Sequence, residues 1–154
     1  MELAIGNFLV LSQNGIVRQQ FQNFFINQTI SYEGSQYGFL PFGFTGVTIN
    51  RTGDNTEAEL VFPNNLLSRN WAIEALEKRW LARVDVVLLN PDDSTSFDRV
   101  HRYVSMISGG AWREVELTLT LSTVLDAVGA DAPQRRLTQR LIGNIPATSN
   151  VRLQ

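Results

Sequence analysis

Apolar and polar residues alternate most cleanly over 112–122. Val115, Leu117, Leu119 and Leu121 interleave with Glu114, Glu116, Thr118 and Thr120. That is the period of a strand with one face on a core and one near water. Residues 57–62 repeat it: Ala58, Leu60 and Phe62 face one way, Glu57, Glu59 and Val61 the other. Residues 82–89 form a third strand, with Val84, Val86 and Leu88 on one face, and 100–108 a fourth. Gly109-Gly110 then reads as a hairpin turn into the 112–122 strand, and 90–94 as a loop.

The period changes once. After the Pro63-Asn64-Asn65 stop, Leu67, Trp71 and Ala75, with Leu76 and Trp80, recur at helical spacing, while Arg69, Glu74, Glu77 and Lys78 point away. This predicts a helix over about 66–81, with Asn64, Asn65 and Ser68 as N-cap candidates. Glu74 and Lys78 form an i,i+4 pair in the favourable order.

The first half of the chain is punctuated by turns. Residues 3–11 and 16–26 flank Asn14-Gly15, a type I′ signal that predicts a hairpin, with a helix over 16–26 as the alternative. Residues 29–33 and 36–40 flank Gly34-Ser35, a second tight hairpin ended by Pro41. A short run at 46–50 and turn chemistry at 52–55 follow. From 127 the order fades, and 133–141 reads as one short basic helix. The sum is a mainly β fold: an antiparallel sandwich or small barrel with one packed helix and extended terminal arms.

A chain of 154 residues is long enough for one domain with a sizeable core. Its charge is unevenly placed. Residues 1–131 hold all 15 acidic residues and 9 of the 13 basic ones; 132–154 hold Arg135, Arg136, Arg140 and Arg152 and no acid. The reading is therefore a body over 1–131 and a basic C-terminal arm over 132–154 within the same domain, suited to docking on an acidic surface. The start of the chain lacks the basic and apolar regions of a signal peptide, and no apolar run has the length of a membrane span.

Candidate chemistry is sparse. With no cysteine, a disulfide framework, a thiolate zinc site and an iron–sulfur cluster are excluded. Glu57 and Glu59 lie about 7 Å apart on one strand face, a separation that suits paired-carboxylate glycosidase chemistry. Strand alternation gives the same spacing without function, and Glu114 and Glu116 repeat it, so Asp54, Glu57 and Glu59 read as the wet side of a strand. His101, the single histidine, has Asp98 or Asp85 as formal relay partners, but no serine sits in a G-x-S-x-G elbow. Neither phosphate-cradling glycine motif occurs. The aromatic run Phe21, Phe24, Phe25, Tyr37, Phe39, Phe42 and Phe44 carries no interleaved cation between Arg18 and Arg51, which favours core or interface packing over base stacking.

The order of segments resembles a known family. Gly34, Tyr37 and Pro41 match a Gly-x-x-Tyr-x-x-x-Pro hairpin, and Ala58, Leu60, Phe62 and Asn64 match a following strand. Leu119, Leu121, Ser122, Ala130, Pro133 and Arg135 match an exit segment. Over most of 28–140 the chain is similar to the opening domain of lambda-type minor tail protein L and related short phage tail domains. The larger members continue into a cysteine-rich domain associated with an iron–sulfur cluster; with no Cys here, no cofactor carries over.

The resemblance implies a non-enzymatic structural protein of the virion, assembled in the host cytoplasm. Several copies would form a homo-oligomeric ring at the end of the tail, joining tail tube to central hub and leaving a channel for DNA. No metal, cofactor or membrane insertion is implied. The terminal segments supply the interface candidates: Arg135, Arg136, Arg140, Leu141 and Ile142 at one end, Phe8 and Leu9 at the other. Two other readings stay open. One is a carbohydrate-binding β-sandwich at a tail tip using Trp80, Tyr103 and Trp112; the other is a glycosidase using Glu57 and Glu59.

Overall fold

A computed structural model of the chain describes residues 4–45, 58–90 and 93–122. Nine strands and one helix run in the order β1 (Ala4–Gln13), β2 (Ile16–Gln22), β3 (Ile30–Tyr32), β4 (Ser35–Phe39), β5 (Gly43–Thr45), β6 (Ala58–Pro63), α1 (Leu66–Glu77), β7 (Leu81–Asn90), β8 (Asp93–Trp112) and β9 (Glu116–Ser122). They form one mixed sheet, β3-β4-β2-β1-β7-β8-β9-β6-β5. Every pair is antiparallel except β2 with β4. The mainly β expectation with a single packed helix holds.

This sheet is not flat, and chain reach shows why. β4 and β5 are seven strand spacings apart in the sheet order, which would be about 34 Å if flat. Only residues 40–42 join them, a path of at most about 14 Å from Phe39 to Gly43. The sheet must therefore curl until β2 and β4 approach β5 and β6. One hydrogen bond marks the seam: Asn23 Nδ2, just past β2, donates to Phe42 O, just before β5, at 3.0 Å.

The inner face holds the main core. Leu9 and Leu11 of β1, Leu60 and Phe62 of β6, Ala82 and Val84 of β7, Ile107 of β8 and Leu117, Leu119 and Leu121 of β9 close around Ala72 and Ala75 of α1. The outer face carries a second core under the β3–β4 hairpin. There Phe8 stacks on Tyr32 with centroids 4.1 Å apart, and Val10, Ile30, Tyr37 and Val87 complete the cluster. β1 is thus buried on both sides. Phe8 and Leu9 are core residues of a central strand, which corrects their placement on a terminal arm: their neighbours β2 and β7 leave no free edge.

Both predicted hairpins form, with one shift. Asn14 and Gly15 have φ 50° and 80°, as a type I′ turn requires. In the second hairpin the positive φ values fall on Glu33 (46°) and Gly34 (77°), one residue earlier than expected, because Tyr32 pairs with Ser35. The 16–26 segment starts as strand β2, not a helix.

The helix begins where predicted. Asn65 accepts from the Ser68 N–H at 2.9 Å, and Ser68 Oγ accepts from the Asn65 N–H at 3.2 Å, a reciprocal capping box. It ends at Glu77, short of 81; Arg79 follows at φ 47°, a left-handed stop. The buried stripe is Ser68, Ala72 and Ala75, one position off the expected phase, and Leu67 is exposed.

Gly109 and Gly110 are not a turn. They lie inside β8, opposite Thr120 and Leu119, and the hairpin turn falls at 113–115. A Cβ on Gly110 would stand 2.8 Å from Leu76 Cδ1, so the glycine makes room for the helix. Val115 consequently sits exposed in the turn, not on the core face. β8 also starts at Asp93, so the 90–94 loop is shorter than expected. The 46–50 run, the 52–55 turn, Asp54, Glu57 and the arm with Arg135, Arg136, Arg140, Leu141 and Ile142 lie outside the described residues.

Candidate functional site

The ionisable side chains on the outer face gather into one network. Asp85, at 1% exposure, is the buried acid. It comes from β7 directly opposite Arg102 of β8, which places both side chains on the same face. The guanidinium grips it with two bonds, Nε to Oδ1 at 2.6 Å and a terminal NH2 to Oδ2 at 2.8 Å. Arg83 lies alongside, its Nε 3.7 Å from Asp85 Oδ2 and its NH2 3.3 Å from the Tyr37 hydroxyl.

Glu33, at the tip of the β3–β4 hairpin, extends the network. Its Oε1 accepts from Arg99 and its Oε2 from Arg102, both at 2.7 Å. The hydrogen bond to Asp85 holds the Arg102 guanidinium well above its ordinary range. Burial pushes the Tyr32 and Tyr37 hydroxyls above theirs. Arginine does not exchange protons at ordinary pH, and both carboxylates are tied to guanidinium groups, so the network clamps the hairpin to the sheet and offers no general acid or base.

His101 stands elsewhere. It is exposed and opposite Val86, one residue out of phase with Asp85 and so on the other face, which removes the Asp85 relay. Glu59 is exposed on β6, opposite Thr120 of β9, as the wet-face reading requires. Trp80 and Tyr103, two of the three aromatics offered as a sugar platform, are buried in the main core; Trp112 is partly exposed. Among the described residues no group of three His, Cys, Asp or Glu side chains could hold a metal. No helix among them is long and apolar enough to cross a membrane.

Concave surface lies elsewhere. The first turns of α1 face the seam where β2 and β4 end, and a groove of about 400 Å³ opens between them. Phe21, Phe39, Leu40, Leu67 and Trp71 form its apolar walls, and Gln19, Asn65, Ser68 and Asn70 its polar ones. Trp71 is fixed from behind by Phe62, edge-on at 5.0 Å, and from the side by Phe21 at 5.8 Å. The groove was hidden from sequence reasoning because its walls come from three separate segments; the one local signal was Trp71 next to the helix cap. No protein-family model and no curated protein matches the chain.

Proposed function

We infer that the chain is a non-enzymatic structural protein of a phage tail tip, acting as a ring of several copies between tail tube and hub. The observation that carries this reading is apolar exposure on a body whose core is already filled. Leu66 and Leu67 in the first turn of α1 are 76% and 79% exposed, and Val115 in the β8–β9 turn is 82% exposed. Apolar side chains left out of a filled core suit lateral contacts between subunits. Rings arise from such contacts when they are heterologous and closed.

Among the described residues, several that carry the family resemblance also act as framework here. Gly34 takes the left-handed turn position, Tyr37 is buried under the hairpin, and Ala58, Leu60 and Phe62 line the core. Asn64 ties the helix entrance to the β8–β9 turn through its N–H to Val115 O at 2.9 Å. In this reading Arg135, Arg136 and Arg140 contact an acidic patch on the adjacent subunit.

The test is assembly. Native mass spectrometry of the purified chain and imaging of particles carrying a tagged copy should give a closed oligomer at the tail end. Arg135→Glu with Arg136→Glu should block tail assembly while leaving the fold intact. Normal infectious particles from that variant would remove the arm contact; a chain absent from purified particles would remove the ring.

A further inference from the structure

We propose that the groove between α1 and the β2–β4 seam binds a neutral saccharide. The site shares Leu67 with the exposed apolar surface on which the ring reading rests, and it does not use Trp80 or Tyr103.

The chemistry of the lining selects the ligand class. None of the nine residues around the groove is ionisable, so it offers nothing to balance a phosphate, a carboxylate or an ammonium group. Three of them are primary amides, and these are not spent elsewhere. Gln19 and Asn70 make no side-chain hydrogen bond within the described residues. Asn65 uses only its oxygen, as the acceptor from Ser68, which leaves its NH2 donors free. A primary amide donates and accepts at once, as vicinal hydroxyls do, so each can make paired bonds to a sugar.

The apolar walls fit the other side of a pyranose. Trp71 is held in place by Phe21 and Phe62, so it need not be ordered when a ligand arrives. A sugar's C–H face packs on such a ring while its hydroxyls turn to the amides, the mix of aromatic walls and a few placed polar groups that small-ligand sites use. The volume of about 400 Å³ lies in the range of such sites, roughly 300–1,000 Å³. A purely apolar peptide would leave three amides unpaired, and a nucleotide would leave its phosphates without a cation.

The test uses the full chain on an array of neutral and acidic oligosaccharides. Titration calorimetry with maltohexaose, cellohexaose and chitohexaose follows, with polygalacturonate as the charged control. The expected result is binding to at least one neutral glycan and none to polygalacturonate. Trp71→Ala should weaken binding by about 10-fold or more, as loss of an aromatic anchor does. Because Trp71 also touches the core, Asn70→Ala, an exposed helix position, serves as the fold-neutral variant and should weaken binding about 5-fold. No binding on the array, equal binding of acidic glycans, or unchanged affinity in Asn70→Ala together with Gln19→Ala would each overturn the proposal. Ring formation is read separately, by native mass spectrometry of the same chain.

Discussion

Asp85 and Arg102 meet end to end, Nε to Oδ1 at 2.6 Å and NH2 to Oδ2 at 2.8 Å, with the carboxylate almost fully out of water. Removing one partner strands the other. Arg102→Met should destabilise the chain by about 3 kcal/mol, the lower end for a broken buried pair because Arg102 itself is partly in water. Asp85→Leu with Arg102→Met should recover most of that loss. Urea unfolding of both variants measures it; a single variant as stable as the parent would show that the pair is incidental.

Gln22 is a wholly buried amide with every polar atom satisfied. Its Nε2 donates to Phe25 O at 2.6 Å and Gln28 O at 3.1 Å, and its Oε1 accepts from the Phe24 and Phe25 N–H groups, both at 2.8 Å. Gln22→Glu turns two donors into acceptors facing carbonyls. The expected cost is about 3 kcal/mol or more, since each stranded buried group costs about 1–3 kcal/mol. Hydrogen exchange at the Phe24 and Phe25 amides should accelerate first.

Two glycines hold room for side chains. A Cβ on Gly6 would stand 2.4 Å from the Phe24 ring, and one on Gly110 2.8 Å from Leu76. Gly110→Ala should cost about 1–3 kcal/mol through overpacking. In a Leu76→Ala background the same change should cost much less, because the clash is gone. A double-mutant cycle by thermal unfolding gives the coupling; strict additivity would rule out the contact.

Tyr32 and Tyr37 predict alkaline instability. Burial raises both hydroxyls above their unfolded value, so the folded state holds these protons longer than the unfolded chain does. Their contribution is complete below about pH 10, the unfolded value, and is lost as pH climbs through the folded values. The melting temperature should fall above pH 10, and Tyr37→Phe should flatten that fall. An unchanged slope in the variant would place the alkaline loss elsewhere.

What the pattern of the chain reveals is governed by locality. Leu117, Leu119 and Leu121, or Ala58, Leu60 and Phe62, declare their faces because each strand has one dry and one wet side. The Asn14-Gly15 turn and the Asn65 cap are legible for the same reason: the chemistry is complete within four residues. Gly110 is different. A glycine pair signals a turn or a close approach, and only the arrival of Leu76 decides between them. The continuous apolar run at 8–11 reads equally as an arm or as a strand covered on both faces. What settles it is the hairpin that folds back over Phe8. The Glu33–Arg102–Asp85 network and the Trp71 groove each draw on three distant segments, so no window of sequence contains them.

Burial of β1 on both faces also has a consequence for how the chain comes off the ribosome. Leu9 finds its partner Val84 only after the intervening chain has been made. At about 5–20 residues per second, this doubly buried strand waits several seconds for the neighbour that covers it. During that time it has only β2, across the Asn14-Gly15 turn, to shield one edge. Newly made chains are therefore most open to wrong pairing at β1, before the sheet that covers it exists. A chaperone that holds β1 until β7 has been made would raise the yield of native protein more than one that acts on the finished chain.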